Sequence, residues 1–150
     1  LVKATFKIIG QCDVEIICFQ FRQLLQNLIS NSLKFSRPDV APKITIKSSI
    51  VSGSNLKNII PNETADYCHI VYTDNGIGFS SDYNERVFNV FQRLHNRSEY
   101  KGTGMGLAIC KRIIENHNGI ITASGSLNKG VRFDIYIPVH QKRIIEYISE

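Results

Sequence analysis

The apolar positions of this chain change rhythm several times, and each change predicts an element. ATFKIIG (4–10), with DVEII (13–17) behind it, predicts two short strands joined by a turn at Gly10-Gln11. From Phe19 to Phe35 the spacing becomes helical: Phe21, Leu24, Leu25, Leu28 and Leu33 fall on one side of a wheel advancing ~100° per residue. Ser36-Arg37-Pro38-Asp39 ends that helix, because proline cannot continue it. ITIKSSIV (44–51) alternates as a strand does, SGSNLKNIIPNETAD (52–66) predicts a long exposed hairpin loop, and CHIVYTDN (68–75) predicts the next strand. A short helix is expected around Asp82–Phe88, followed by a polar, glycine-bearing stretch from Gln92 to Thr103. A second strong helical pattern runs from near Gly104 to His117 and stops at Asn118-Gly119. GIITASGS and VRFDIYIPV then predict a strand pair across Leu127-Asn128-Lys129-Gly130. This order fits the α+β class: a two-layer α/β sandwich whose mixed, mostly antiparallel sheet of about five strands carries about three helices on one face. Residues 1–140 are expected to form one domain, and 141–150 a C-terminal tail to which no role is assigned.

Composition narrows the function classes. With 150 residues and 43% of them hydrophobic, the chain is long and apolar enough for one core. No apolar run approaches the ~20 residues of a membrane span, and no signal-peptide pattern opens the sequence, so a cytoplasmic setting is expected, with membrane anchoring of a parent protein left open. Cys12, Cys18, Cys68 and Cys110 include no C-x-x-C pair, and are expected to be four buried or idle thiols. The net charge of +5 is spread out, with no basic run longer than two, which argues against a nucleic-acid partner. Its one local excess, Arg93, Arg97, Lys101, Lys111 and Arg112 against Glu99, would attract an anionic small molecule. His69, His95, His117 and His140 have no mutual metal spacing and are expected to be structural or surface residues.

Three motifs carry candidate chemistry. Asn27, Asn31 and Lys34 share one stripe of the first helix. This stripe is either a solvated face or a set of neutral oxygen ligands suited to Mg2+, with a cation for phosphate one turn on. Asp74-Asn75-Gly76-Ile77-Gly78-Phe79 contains a common turn dipeptide, yet Asp74 could accept from an exocyclic amine while Gly76 and Gly78 let a flat ring approach. Gly102-Thr103-Gly104-Met105-Gly106-Leu107 precedes the second long helix and offers backbone N–H groups to an anion; it spells neither a dinucleotide fingerprint nor a P-loop.

In this order, NLISNSLKFS (27–36), DNGIGF (74–79), VFNVFQRLH (87–95) and GTGMGLAICKRI (102–113) resemble the N box, first glycine box, F box and second glycine box of sensor histidine kinases. The resemblance extends from about Thr5 to Pro138, and FQRLHNRSEYKGTGMGLAICKRI is most similar to phytochrome-like and PAS-containing hybrid kinases. It implies the Bergerat fold, shared with gyrase and MutL. It further implies Asn31 with Asn27 near Mg2+ and the phosphates, Lys34 and Arg93 acting on the phosphate chain, and Phe35 beside the nucleotide. Asp74 would bond the adenine amine next to Gly76 and Gly78, and Gly102, Thr103, Gly104, Met105, Gly106 and Leu107 would border ATP, with Arg93 and the glycines in a mobile lid. Position 27 is asparagine where ATP-hydrolysing relatives carry a water-activating glutamate. The implied reaction is therefore donation of the γ-phosphoryl group of ATP to a histidine on a separate dimerisation domain, upstream of a response regulator. The phosphoacceptor helices are absent from this sequence, so the resemblance implies a monomeric module of a homodimeric parent. Two departures stand out: Ser32 replaces the usual alanine, a change expected to be tolerated, and Val131 replaces a frequent threonine, which puts a hydroxyl contact near the adenine in doubt. Phe88 and Phe91 either dock the partner domain or pack in the core. The alternative reading is a degenerate module that senses nucleotide or binds partners without phosphoryl transfer.

Overall fold

The computed structural model describes residues 3–61, 64–90 and 104–141. Strand β1 (Thr5–Ile9) leads through an irregular segment into helix α1 (Cys18–Lys34), which crosses to β2 (Lys43–Ser52). β1 and β2 pair in parallel, Thr5 opposite Lys43 and Ile9 opposite Lys47, as a helical crossover permits. There follow β3 (Asp66–Asp74), α2 (Gly106–Asn116), β4 (Ile120–Ser126) and β5 (Gly130–Pro138). The remaining pairings are antiparallel, and the sheet order is β1-β2-β3-β5-β4. The mixed, mostly antiparallel sheet is the expected one.

Both helices cover the same face. Cys68, Ile70 and Tyr72 of β3 and Phe133, Ile135 and Ile137 of β5 form one core with Leu24 and Leu28 of α1 and with Cys110, Ile113 and Ile114 of α2. Strand side chains alternate between faces, so His69, Arg132 and Asp134 project from the other side. The helices are also tied end to end. Buried His117 accepts the Ile17 N–H at Nε2 (2.8 Å) and donates from Nδ1 to the Ile113 carbonyl (2.7 Å), so a neutral imidazole joins the entry of α1 to the exit of α2. Asn118, at φ +56°, makes the predicted stop after α2.

Five expectations change. The structure has two α-helices among its described residues, not three: 82–88 forms two 3-10 turns, Ser81–Tyr83 and Arg86–Phe88. Polar side chains there bond outside any helix, Ser80 to Asp82 (3.3 Å) and Asn84 to the Gly125 N–H (2.9 Å), and such bonds compete with helical ones. DVEII is not a strand. Of residues 12–17 only Cys12 and Val14 pack on the core, whereas Ile16 and Ile17 are exposed, and Glu15 makes a single backbone bond to Val139 (3.1 Å). Segment 52–66 is only partly exposed, because a 3-10 turn at Gly53–Leu56 buries Leu56 with Tyr67 and Tyr136 in a second small core. The buried stripe of α1 is Leu24, Leu28 and Ser32, while Leu33 is 41% exposed. Finally, the cysteines are not four idle thiols: Cys12 and Cys68, 56 residues apart, form a disulfide that ties the segment before α1 to β3. Cys18 and Cys110 remain thiols, and burial pushes the Cys110 thiol up to about 12, which keeps it protonated and unreactive.

No helix among the described residues is long and apolar enough to cross a membrane. The tail beyond Gln141 and the stretch containing Arg93, Gly102 and Thr103 lie outside the described residues.

Candidate functional site

Asp74, the last residue of β3, sits half-buried on the helix-covered face. Its Oδ1 accepts the N–H groups of Gly76 (3.0 Å) and Val131 (3.1 Å), and its Oδ2 accepts the Ser32 hydroxyl at 2.6 Å. The Ser32 hydroxyl in turn lies 2.8 Å from the Tyr72 hydroxyl. A carboxylate offers about four acceptor positions, so among the described residues one remains, on Oδ2. A site of this kind takes a single N–H donor.

The loop after Asp74 is laced to its surroundings. Ile77 donates to the Phe35 carbonyl (2.9 Å) and accepts from Asn128 (2.7 Å). Arg37 donates to the carbonyls of Asn75 and Asn128, each at 3.0 Å, and the Asn75 amide spans Lys43 N–H (2.8 Å) and the Ala41 carbonyl (3.1 Å). Space is equally restricted. A Cβ at Gly76 would lie 2.6 Å from the Phe35 carbonyl, and at Gly78, φ +61°, it would strike the Ser126 carbonyl. Glycine is required at both positions for the chain to pass.

The second part of the site lies where α1 meets the start of α2. Asn27 donates its amide N–H to the Gly106 carbonyl (3.3 Å), which leaves Oδ1 as its metal-capable atom. Asn31 lies alongside, since a Cβ on Gly106 would be 3.8 Å from its Nδ2. The N-cap residue of α2, Met105, makes no side-chain capping bond, and Gly104 precedes it at φ +74°, so among the described residues no N-cap side chain covers the positive end of the helix dipole. Leu107 packs against the core. The Lys34 ammonium stands 5.0 Å from the centre of the Phe35 ring. The structure therefore brings Asn27, Asn31 and Gly106 together, and Asp74 with Gly76, Gly78 and the Phe35 backbone.

The sequence marks Ser32 and Val131 only as departures from the family pattern, and gives Tyr72 and Arg37 no place in the site. A signal for Ser32 existed: it breaks an otherwise apolar i, i+4 series after Leu24 and Leu28. Arg37 had none, lying in a segment read only as a helix stop. Phe88 is buried and meets Phe133 edge-on at 6.3 Å, so it packs in the core and is not a docking residue; Phe91 lies outside the described residues.

A second carboxylate cluster occupies the opposite face. Asp134 accepts two bonds from Arg132 (2.8 and 2.7 Å) and one from His69 Nε2 (2.8 Å), and His69 stacks on Tyr136 at 4.3 Å. Hydrogen bonding from the Arg132 guanidinium, and then from His69, holds the Asp134 carboxyl below its ordinary value.

The family model described as histidine kinase-, DNA gyrase B-, and HSP90-like ATPase matches residues 19–141, and the chain belongs to that family. Among its relatives, cyanobacterial phytochrome A of Nostoc sp. is 44% identical over 120 residues, which are 80% of this chain and 14% of the phytochrome. The adaptive-response sensory kinase SasA of Prochlorococcus marinus is 32% identical over 124 residues, 82% of this chain and 30% of that kinase. The chain thus spans a minor part of the relatives it matches. Among solved structures, the mycobacterial sensor histidine kinase MprB superposes with a TM-score of 0.69 at 19% identity, covering 93% of this chain and 84% of that one. The catalytic domain of the histidine kinase ThkA gives 0.66 at 25% identity, covering 91% and 79%.

Proposed function

We propose that this chain binds Mg·ATP and donates the γ-phosphoryl group to a histidine on a separate dimerisation and phosphoacceptor domain. The observation that carries the reading is Asp74: a carboxylate with three neutral donors in place and, among the described residues, one acceptor position left, beside a loop that Gly76 and Gly78 let pack tightly on the Phe35 and Ser126 carbonyls. In this reading Asp74 takes the 6-amine of adenine, and Phe35 lies beside the nucleotide. The uncapped first turn of α2, with Gly102, Thr103, Gly104, Met105, Gly106 and Leu107, faces the phosphates. Lys34 and Arg93 add positive charge there.

The donor set fits magnesium. Asn27 has turned its amide nitrogen to Gly106, and Asn31 lies on the same side, so neutral amide oxygens would share the ion with phosphate oxygens and water. When bound, the ion neutralises charge that builds up on the transferring phosphoryl group. With asparagine at position 27, no carboxylate stands there to activate water. The acceptor is accordingly an imidazole: its nitrogen forms the new P–N bond, the bond from the γ-phosphorus to the ADP oxygen breaks, and the imidazole proton passes to solvent. The chain's contribution is positioning and charge neutralisation. The parent is a homodimeric, cytoplasmically facing signalling kinase, and its phosphohistidine supplies a response regulator.

Calorimetry with ATP and magnesium tests the first half; an absence of binding removes the reading. Adding EDTA should weaken ATP binding about tenfold or more while adenosine binding stays within about twofold, because only the phosphates share the ion. Phosphorylation of a supplied histidine hairpin from the parent protein tests the second half, and nucleotide binding without transfer would favour a nucleotide-sensing module.

A further inference from the structure

Ser32 is 4% exposed and is one of two buried polar residues among those described, the other being His117. It lies between Tyr72 and Asp74, at 2.8 and 2.6 Å. The direction of these bonds follows from chemistry. An ionised carboxylate only accepts, so the single Ser32 proton goes to Asp74 Oδ2. Ser32 must then accept from Tyr72, whose proton has no other role in the chain of bonds. Burial pushes the Tyr72 phenol above its ordinary value, which keeps that proton in place. Gly76 and Val131 hold Oδ1 from the backbone, and Ser32 is the one side chain among the described residues that holds Oδ2.

We infer that Ser32 is a positioning residue for base selection: supported by Tyr72, it fixes the Asp74 carboxylate so that its one remaining acceptor position admits a purine with a 6-amino group and rejects a 6-oxo purine. This rests on the assignment of Asp74 to the base. An acceptor aimed at an acceptor repels, and a site with unsatisfied polar groups discriminates strongly when it cannot relax. Ser32 supplies the resistance to relaxation. Without its hydroxyl, Oδ2 has two open positions, the carboxylate is held on one oxygen, and a water can enter to bridge to a 6-oxo group.

The test is calorimetric titration of the 150-residue chain with ATP and with inosine triphosphate, in which a 6-oxo group replaces the 6-amine and N1 carries a proton. Wild type should prefer ATP. Ser32→Ala should lower the ATP-to-inosine-triphosphate ratio about tenfold, by weakening ATP and relatively favouring the 6-oxo ligand, and Ser32→Thr, which keeps the hydroxyl, should restore most of it. Tyr72→Phe removes the supporting bond but leaves the Ser32 donor, and should lower the ratio about two- to threefold. Thermal unfolding of each variant checks that it is folded. An unchanged ratio in Ser32→Ala overturns the inference, and so does an equal loss of both nucleotides, which would mark a structural role only. A wild-type chain that binds neither nucleotide overturns instead the assignment of Asp74 on which it rests.

Discussion

Asp74 and Asp134 lie on opposite faces of the same sheet, and each collects three hydrogen bonds from the chain. Their donors differ. Those of Asp74 are two backbone N–H groups and a hydroxyl, all neutral. Those of Asp134 include the two-pronged Arg132 guanidinium and the His69 ring. A carboxylate paired with a guanidinium has its charge answered and is a structural fixture. One held by neutral donors keeps its negative charge and, at Asp74, one acceptor position left among the described residues. In the proposed reading, charge and geometry together separate a binding group from a fastening.

The sharpest way to break this contrast is to remove the charge at each place. Asp74→Asn puts an NH2 group against either the backbone donors or Ser32 and the base, and should weaken ATP binding about a hundredfold or more by calorimetry. Asp134→Asn should leave it within about twofold. Equal effects would erase the distinction.

A smaller effect is expected two residues before Arg132. Gly130 has φ +111°, and a Cβ there would run into the Asp74 carbonyl, so Gly130→Ala should cost about 2–3 kcal/mol in urea unfolding and weaken ATP binding as well.

The smallest effect concerns the fastening. Arg132→Ala should cost at most about 1 kcal/mol at neutral pH, because the guanidinium is half exposed. The folded Asp134 carboxyl titrates below its unfolded value, so the stability it adds is full above the ordinary carboxylate range and is lost as pH falls through the depressed value. The gap between wild type and Arg132→Ala in urea midpoint should therefore close on acidification from pH 7. A gap that persists in acid would show that Arg132 acts through packing.

Much of this architecture was legible because it rests on local periodicity. Leu24 and Leu28 mark the inner face of α1, the alternation in 44–51 and 68–75 marks two strands, and Asn118-Gly119 marks a helix stop. What was hidden depends on partners far away in sequence. Cys12 and Cys68 show no motif spacing, and Cys12 and Val14 present a pattern that burial produces without a strand. Leu33 is apolar but turns outward, because five residues beyond Leu28 the helix has rotated well past the stripe that Ser32 continues. Residue type and order are enough to single out Asn27, Asn31 and Asp74 as candidates, whereas the Ser32 bond to Asp74 is visible only with β3 laid against α1.

The segment before α1 also bears on how the molecule assembles. Ile17 bonds to His117 across 100 residues, and Glu15 to Gln141 across 126. Contacts of such separation need α2 and β5 in place to close, so this latch is expected to form late in folding. Substitutions in it should accelerate unfolding and leave the folding rate nearly unchanged. The Ile17 amide, held by a ring nitrogen and not by a helical carbonyl, should then exchange its hydrogen through openings smaller than global unfolding, and so report when the two ends of the domain part.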